Sequence, residues 1–242
     1  MQAIILSAGR GSRLLPLTEL MPKCLVPVGG RAILDHQLRA LADAGVGRAI
    51  VVAGYRFDQV GAHLATHAPP LRVELRFNPF WAVSSSIGSV WAARDALDDP
   101  FLLLNGDTTL TAPLLGRVLA GAGEGIGLVV EPLATPAEDD MLVTVSGTKV
   151  TAVSKALDPA TATHRSLGLV LAGGESGYLS VLERVIAGAD GINAYHHDVV
   201  AALAGQGAVS AIVERSGTWM EIDRPEDIQS WTERARGGGL GS

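Results

Sequence analysis

The run Ala3-Ile4-Ile5-Leu6-Ser7-Ala8-Gly9-Arg10-Gly11-Ser12-Arg13 constrains this chain more than any other. Its first five residues make an apolar stretch of the length a buried parallel strand needs, and Gly9 ends it. Glycines directly after such a strand let backbone N–H groups approach a phosphate with no Cβ in the way. Arg13 offers a planar fork that matches phosphate oxygens, and Lys23, after Pro22, adds a compact charge. Two common phosphate loops do not fit. No Gly-x-x-x-x-Gly-Lys-Ser/Thr run exists, and Leu14 stands where a dinucleotide fingerprint needs its third glycine. Arginine and lysine in place of that glycine point to a charge-dense triphosphate.

Beyond the loop, the pattern of residues predicts an α/β fold. Ile33–Ala44 has helical spacing and stops at Gly45, Ala49–Ala53 reads as a second buried strand, and Asp58 reads as the N-cap of a helix reaching His67. Leu71–Phe77 alternates as a more exposed strand, Ser86–Leu97 reads as a helix, and Phe101–Leu104 is a wholly apolar strand leading into Asn105-Gly106-Asp107. Such repeats imply parallel strands with right-handed crossovers, and ligands beyond the carboxyl ends of the strands. The second half is less regular. Gly125–Glu131, Met141–Val145, Lys149–Ser154, Ser166–Leu171 and Ala208–Glu214 read as strands, several close enough to pair antiparallel; Tyr178–Ala187, His197–Leu203 and Pro225–Ala235 read as helices. The expectation is one Rossmann-like domain over 1–236, with a mixed, mostly parallel central sheet flanked by helices, a small antiparallel β subregion in the second half, and a flexible tail over 237–242.

Composition narrows the function classes. A hydrophobic content of 48% provides for a large core, and a net charge of −6 gives no bulk attraction to nucleic acid or to an anionic membrane. No apolar run approaches the ~20 residues of a membrane span, and the first residues lack the basic segment of a signal peptide. One cysteine, Cys24, excludes an intrachain disulfide; with no base partner in view it reads as a packed residue. A cytoplasmic monomer or homodimer is expected.

Asp107, at the carboxyl end of a central strand, has the position of a Mg²⁺ ligand and equally that of a turn residue. Glu221 and Asp223 share one face of a strand end, where Asp223 reads as a second metal ligand or as a helix cap. Asn78–Ser89 joins a strand to a helix, and Ser84, Ser85, Ser86 and Gly88 put hydroxyl and N–H donors at a helix start, for a base edge or simply for the cap. His164, Arg165 and Lys155 are either acceptor-phosphate ligands or surface charge. His196-His197-Asp198 resembles a metal cluster in composition only, since adjacent helical residues point about 100° apart.

The N-terminal segment with Pro22-Lys23, continued by Gly45, Val51–Tyr55, Asn78-Pro79, Asn105–Asp107 and Glu221–Asp223, resembles the nucleotidylyltransferases that activate sugar phosphates and related metabolites. Ser7 departs from that pattern, which usually has alanine. The resemblance implies a direct in-line attack of a phosphate or phosphonate oxygen on the α-phosphorus of a nucleoside triphosphate. Arg13 would hold the β- and γ-phosphates, Lys23 the α-phosphate, and Asp107 and Asp223 Mg²⁺, which makes Arg13, Lys23 and Asp107 the catalytic set. The nucleotide would also meet Leu6, Ala8, Gly9, Arg10, Gly11, Ser12, Gly54, Ser84, Ser85, Ser86, Gly88 and Asn105. Val83–Ser89 replaces the Leu-Gly-Thr-Ala-type segment of sugar-1-phosphate enzymes and is more similar to the bacterial CTP:phosphocholine and phosphonate cytidylyltransferases. That implies CTP and a small phospho- or phosphono-alcohol, held by Trp81, Lys155, Tyr195, Asp198, Trp219 and Glu221. The alternatives are a sugar-1-phosphate nucleotidylyltransferase using UTP, dTTP or GTP, and a non-catalytic nucleotide sensor, which would have to lack a cation or a metal acid.

Overall fold

Residues 1–121, 123 and 125–236 are described by a computed structural model; the expected tail, 237–242, lies outside them. In chain order the elements are β1 (Gln2–Ser7), α1 (Leu17–Leu20), β2 (Pro27–Val28), β3 (Arg31–Ala32), α2 (Ile33–Asp43), β4 (Arg48–Ala53), α3 (Phe57–Thr66), β5 (Arg72–Phe77), α4 (Ser86–Ala92), β6 (Phe101–Asn105) and β7 (Thr108–Leu110). They continue with α5 (Ala112–Ala120), β8 (Ile126–Pro132), β9 (Leu142–Ser146), β10 (Lys149–Ser154), β11 (His164–Ala172), α6 (Tyr178–Ile186), α7 (His196–Ala204), β12 (Val209–Val213), β13 (Trp219–Glu221) and α8 (Pro225–Arg236).

Nine strands form one mixed sheet in the order β5-β4-β1-β6-β11-β8-β12-β10-β9. The pairings give β11 and β10 the opposite direction to the other seven. The carboxyl ends of β1, β6 and β8 therefore open on one rim. Successive residues of β1 serve opposite cores. Ile4 packs with Ile50, Leu103 and the helices α4, α6 and α7, while Ile5 packs with Val51, Leu104 and the helices α2 and α5. Burial on both faces is why these strands read as unbroken apolar runs. Each fully buried Ile or Leu contributes roughly 1.5–3 kcal/mol relative to exposure.

Two local features depart from the expected elements. Arg56, in the left-handed region at φ 50°, precedes α3, so Asp58 lies in the helix's first turn and is not its N-cap. The helix beginning at Ser86 ends at Ala92, where Ala93 at φ −111° breaks it, and Arg94–Ala96 form a separate 3₁₀ turn. The elements α1, β2, β3, β7 and α5 were not foreseen, and β13 was foreseen only as the strand end carrying Glu221.

The β7–β13 ribbon governs the rim. It pairs Glu221 with Thr108, and the N–H of Ile222 donates to the Asp107 carbonyl at 3.0 Å. Residues more than a hundred positions apart thereby bring Asp107 and Asp223 together. Buried Gln37 steadies the turn by donating to the carbonyls of Asn105 and Thr108 at 2.7 and 2.8 Å. No described helix is long and apolar enough to cross a membrane.

Candidate active site

Beyond that rim lies a cavity of about 940 Å³. Of the residues singled out from sequence, Leu6, Ala8, Gly9, Arg13, Trp81, Ser84, Ser85, Ser86, Asn105, Asp107, Lys155, Tyr195, Trp219, Glu221 and Asp223 line it. Lys23 is not itself part of that lining but is bonded to two residues that are: its ammonium donates to Asp107 Oδ2 at 2.7 Å and also to Asp223 Oδ1. Arg13 reaches Asp223 Oδ2 at 3.0 Å through one arm of its fork and Asp139 Oδ1 at 2.8 Å through the other. Arg224 stands 3.6 Å from the other oxygen of Asp139.

Burial alone would depress the pKa of Lys23, but Asp107 and Asp223 outweigh it and hold the ammonium charged well above the ordinary lysine range. Burial opposes ionisation of Asp223, yet Lys23 and Arg13 keep its pKa below the usual carboxylate value. Glu221 opens onto the cavity and has no such partner at contact distance: desolvation by the surrounding walls, reinforced by Asp107 and Asp223, shifts its carboxyl upward.

The metal reading can be tested on these acids. Asp107 Oδ1 is buried and has no hydrogen-bond partner among the described residues, and an orphan carboxylate oxygen beside a second carboxylate is chemistry that a cation completes. Among the described residues no three His, Cys, Asp or Glu side chains converge on one point. Two carboxylates nevertheless fit Mg²⁺, which takes the rest of its shell from phosphate and water. Asp223 is not committed to capping, because Asp227 caps α8: the Asp227 Oδ2 accepts the N–H groups of Asp223 and Arg224 at 2.8 and 2.7 Å.

The remaining expected residues hold the loop rather than face the cavity. Gly11 has φ 73°, and a Cβ there would come within 2.8 Å of Lys23 Cβ, so the glycine makes room for the lysine. Arg10 stacks over Tyr55 at 5.7 Å, and Ser12 opens a 3₁₀ turn. Gly54 and Gly88 are packed against Trp81 and Ser84. Asp198 does not face the main cavity. Its carboxylate accepts the Tyr195 N–H at 2.6 Å and so caps α7, and it lines a neighbouring hollow of about 460 Å³ instead.

Sequence reading missed Glu131, Asp139 and Asp140, which also line the cavity. Arg165 donates to Glu131 at 2.6 Å and to Asp140 at 3.2 Å, lies 5.3 Å over the Trp219 ring, and Trp219 Nε1 donates to Glu131 at 2.9 Å. The available signal was Glu131, an acid ending an apolar strand as the Asn105–Asp107 turn does. Lys155 lies 5.4 Å over the Tyr195 ring, whereas the His164 ring, among the described residues, bonds only its neighbour Thr163.

His196 and His197 are both buried, with ring centroids 3.9 Å apart. Burial pushes the His196 imidazole down to about 3; burial, with His196 and Lys155, also holds His197 well below its ordinary value. Both are neutral in the fold, while the unfolded chain protonates them near pH 6.5. Their stabilisation is thus complete above pH 6.5 and lost as pH falls below it, by up to about 2.7 kcal/mol per pH unit for two protons. Thermal melts between pH 7 and 5 are expected to fall more steeply for the wild type than for His196→Asn/His197→Asn; parallel curves would show that other groups govern the acid limb.

Residues 3–160 match the MobA-like NTP transferase domain. The chain is 38% identical over 115 residues to the mannose-1-phosphate guanylyltransferase catalytic subunit beta of Drosophila melanogaster, covering 46% of this chain and 31% of that protein. It is 34% identical over 119 residues to the CMP-5'-(3-aminopropyl)phosphonate synthase of Streptomyces rubellomurinus, covering 49% and 19%. The chain therefore spans less than a third of the length of these relatives. Among solved structures, CTP:phosphocholine cytidylyltransferase from Streptococcus pneumoniae superposes with a TM-score of 0.77 at 21% identity, covering 96% of this chain and 97% of that one. The inositol-1-phosphate CTP transferase of T. maritima gives 0.80 at 18%, covering 98% and 96%. These two likenesses establish the fold.

Proposed function

The chain belongs to the family of MobA-like NTP transferase domains, and from that membership and the cleft we propose that it transfers CMP from CTP to a small phospho- or phosphono-alcohol, releasing pyrophosphate. The observation that carries the reading is the Lys23 ammonium held between Asp107 and Asp223, beside Arg13 and beyond the Gly9 loop. Asp107 and Asp223 would hold Mg²⁺, which when bound neutralises charge on the phosphates and on the departing pyrophosphate.

The acceptor oxygen forms a bond to the α-phosphorus as the bond to the pyrophosphate oxygen breaks. No base is required, because a phosphate or phosphonate is already ionised at neutral pH. Lys23 neutralises the α-phosphate and Arg13 the β- and γ-phosphates, so catalysis is positioning plus charge stabilisation. Trp81, Lys155, Tyr195, Trp219 and Glu221 line the cleft and would hold the acceptor.

The mannose-1-phosphate guanylyltransferases among its relatives favour a second reading, transfer of a nucleotide to a sugar-1-phosphate. Pyrophosphate release from CTP, UTP, dTTP and GTP, each with aminoalkyl phosphonates, phosphocholine and sugar-1-phosphates, separates the two. CTP with a phosphonate or phosphocholine is expected to be the productive pair; turnover confined to a sugar-1-phosphate with another nucleotide transfers the assignment to the second reading. With the productive pair, Asp107→Asn is expected to lower turnover by about a hundredfold or more while the fold persists. A near-native rate would remove Asp107 from the metal site.

A further inference from the structure

The buried imidazole pair of α7 belongs to neither the phosphate-binding nor the metal-binding set, yet each ring is bonded to a serine of the cleft. His196 Nδ1 lies 3.1 Å from Ser86 Oγ, and the backbone N–H of His196 donates to the same oxygen at 2.9 Å. His197 Nε2 lies 2.9 Å from Ser166 Oγ, which also accepts the Gly168 N–H at 3.0 Å. Ser86 opens α4 on the nucleotide side; Ser166 lies on β11 where its register with β8 shifts. All four side chains line the main cavity.

The hydrogen-bond network fixes the proton on His196. Its Nε2 is buried and has no partner among the described residues. A proton on Nε2 would leave an orphaned buried N–H, whereas a proton on Nδ1 leaves only an unused lone pair, and orphaned buried donors are the rarer defect. With Nδ1–H donating, Ser86 Oγ accepts two hydrogen bonds, one from the imidazole and one from the His196 backbone. Both of its lone pairs are then engaged, and its own hydrogen has to be given elsewhere.

We propose that His196 is a positioning residue that holds the Ser86 hydroxyl as a hydrogen-bond donor directed into the cleft, where it binds an acceptor atom of the nucleotide. The inference rests on the nucleotidyl-transfer reading of the site. Left alone, a serine hydroxyl rotates and both donates and accepts; locked by His196, it selects for a carbonyl or ring-nitrogen acceptor. Contact of His196 with the His197 ring, itself tied to Ser166, limits its freedom to turn away.

The test is a cycle of Ser86→Ala, His196→Phe and the double variant, measuring KM for CTP, kcat and the thermal shift caused by Mg·CTP. Loss of one neutral hydrogen bond corresponds to about a three- to tenfold rise in KM. Ser86→Ala and His196→Phe are each expected to raise KM by that factor, to a greater extent than they lower kcat. The double variant is expected to be no worse than Ser86→Ala, because His196 acts only through Ser86. His196→Asn, which places a polar atom where Nδ1 stood, is expected to restore KM, and His196→Leu is not. Additive losses in the double variant, or an unchanged KM in Ser86→Ala, overturn the proposal. If His196→Phe does not fold, an unchanged KM in Ser86→Ala, at a half-buried position, still overturns the proposal, and His196→Asn against His196→Leu carries the test of His196. Absence of pyrophosphate release and of any nucleotide-induced thermal shift in the wild type refutes the nucleotidyl-transfer reading and this inference together; wild-type turnover with an unchanged KM in Ser86→Ala refutes the inference alone.

Discussion

Lys23→Ala is expected to lower turnover by roughly 10²–10³-fold, the scale on which removal of one preorganised charge-stabilising donor acts. The same substitution has a second consequence in the unliganded protein. The Lys23 ammonium bridges Asp107 and Asp223 and is largely buried. Without it, two carboxylates and the neighbouring Glu221 face one another with no cation between them. Breaking a buried pair by removing one partner costs about 3–5 kcal/mol, part of which is recovered as the acids protonate. Melting should therefore fall sharply, and Mg²⁺ should restore more of it in Lys23→Ala than in the wild type, because the ion takes the place the ammonium left. Equal melting of the two proteins without metal would mean that Lys23 is not the counter-ion of these acids. Equal rates with nucleotide would mean that it does not touch the α-phosphate.

Gly106→Ala is expected to be nearly as damaging, for a reason of space rather than charge. A Cβ at Gly106 would overlap the Leu6 carbonyl oxygen and fall within 2.6 Å of Ser7 Oγ and 2.8 Å of Ser7 Cα. Two of these neighbours are backbone of the central strand β1, which cannot turn aside as a long side chain does. Overpacking of this kind costs about 1–3 kcal/mol, or roughly 3–10 °C in melting temperature for a chain of this size. The larger effect should fall on turnover, because the strand and the turn that separate carry the Gly9 loop and Asp107 respectively. A displacement of about 1 Å can cost a hundredfold in rate. A variant that melts and turns over like the wild type would show that the turn has slack the structure does not suggest.

Much of this arrangement was legible in the residues because it is local. The strands β1, β4 and β6 are buried on both sides, so apolar run length alone marks them, and a glycine or acid at each carboxyl end marks the rim. Arg13, Lys23, Asp107 and Asp223 do come together. What brings the last of them in is the ribbon of β7 and β13, two three-residue strands too short to carry a period and paired across more than a hundred positions. The start of α3 was misread because a left-handed arginine, which no propensity announces, stands where Asp58 was expected to cap. Asp198 was expected among the acceptor ligands, but an acid at the third position of a helix is equally suited to accept the N-cap N–H, as it does here. The wall of Glu131, Asp140 and Arg165 depends on β11 running against its neighbours, and single-sequence spacing holds no direction for a strand.

The charges around Arg13 have a further meaning as a set. Arg13, Lys23 and Arg224 stand among Asp107, Asp139 and Asp223, three cations against three carboxylates. These ion pairs make the cleft in effect an internal salt, and on the proposed function a metal–triphosphate complex would enter it by ion exchange: the phosphates would displace carboxylates from Arg13 and Lys23, and the metal ion would take up the carboxylates released. Within this set the charges balance, so it adds little net field of its own to draw a nucleotide in. On the proposed function the same balance would favour the metal complex over the free nucleotide, since a bare triphosphate would satisfy the cations and strand the acids.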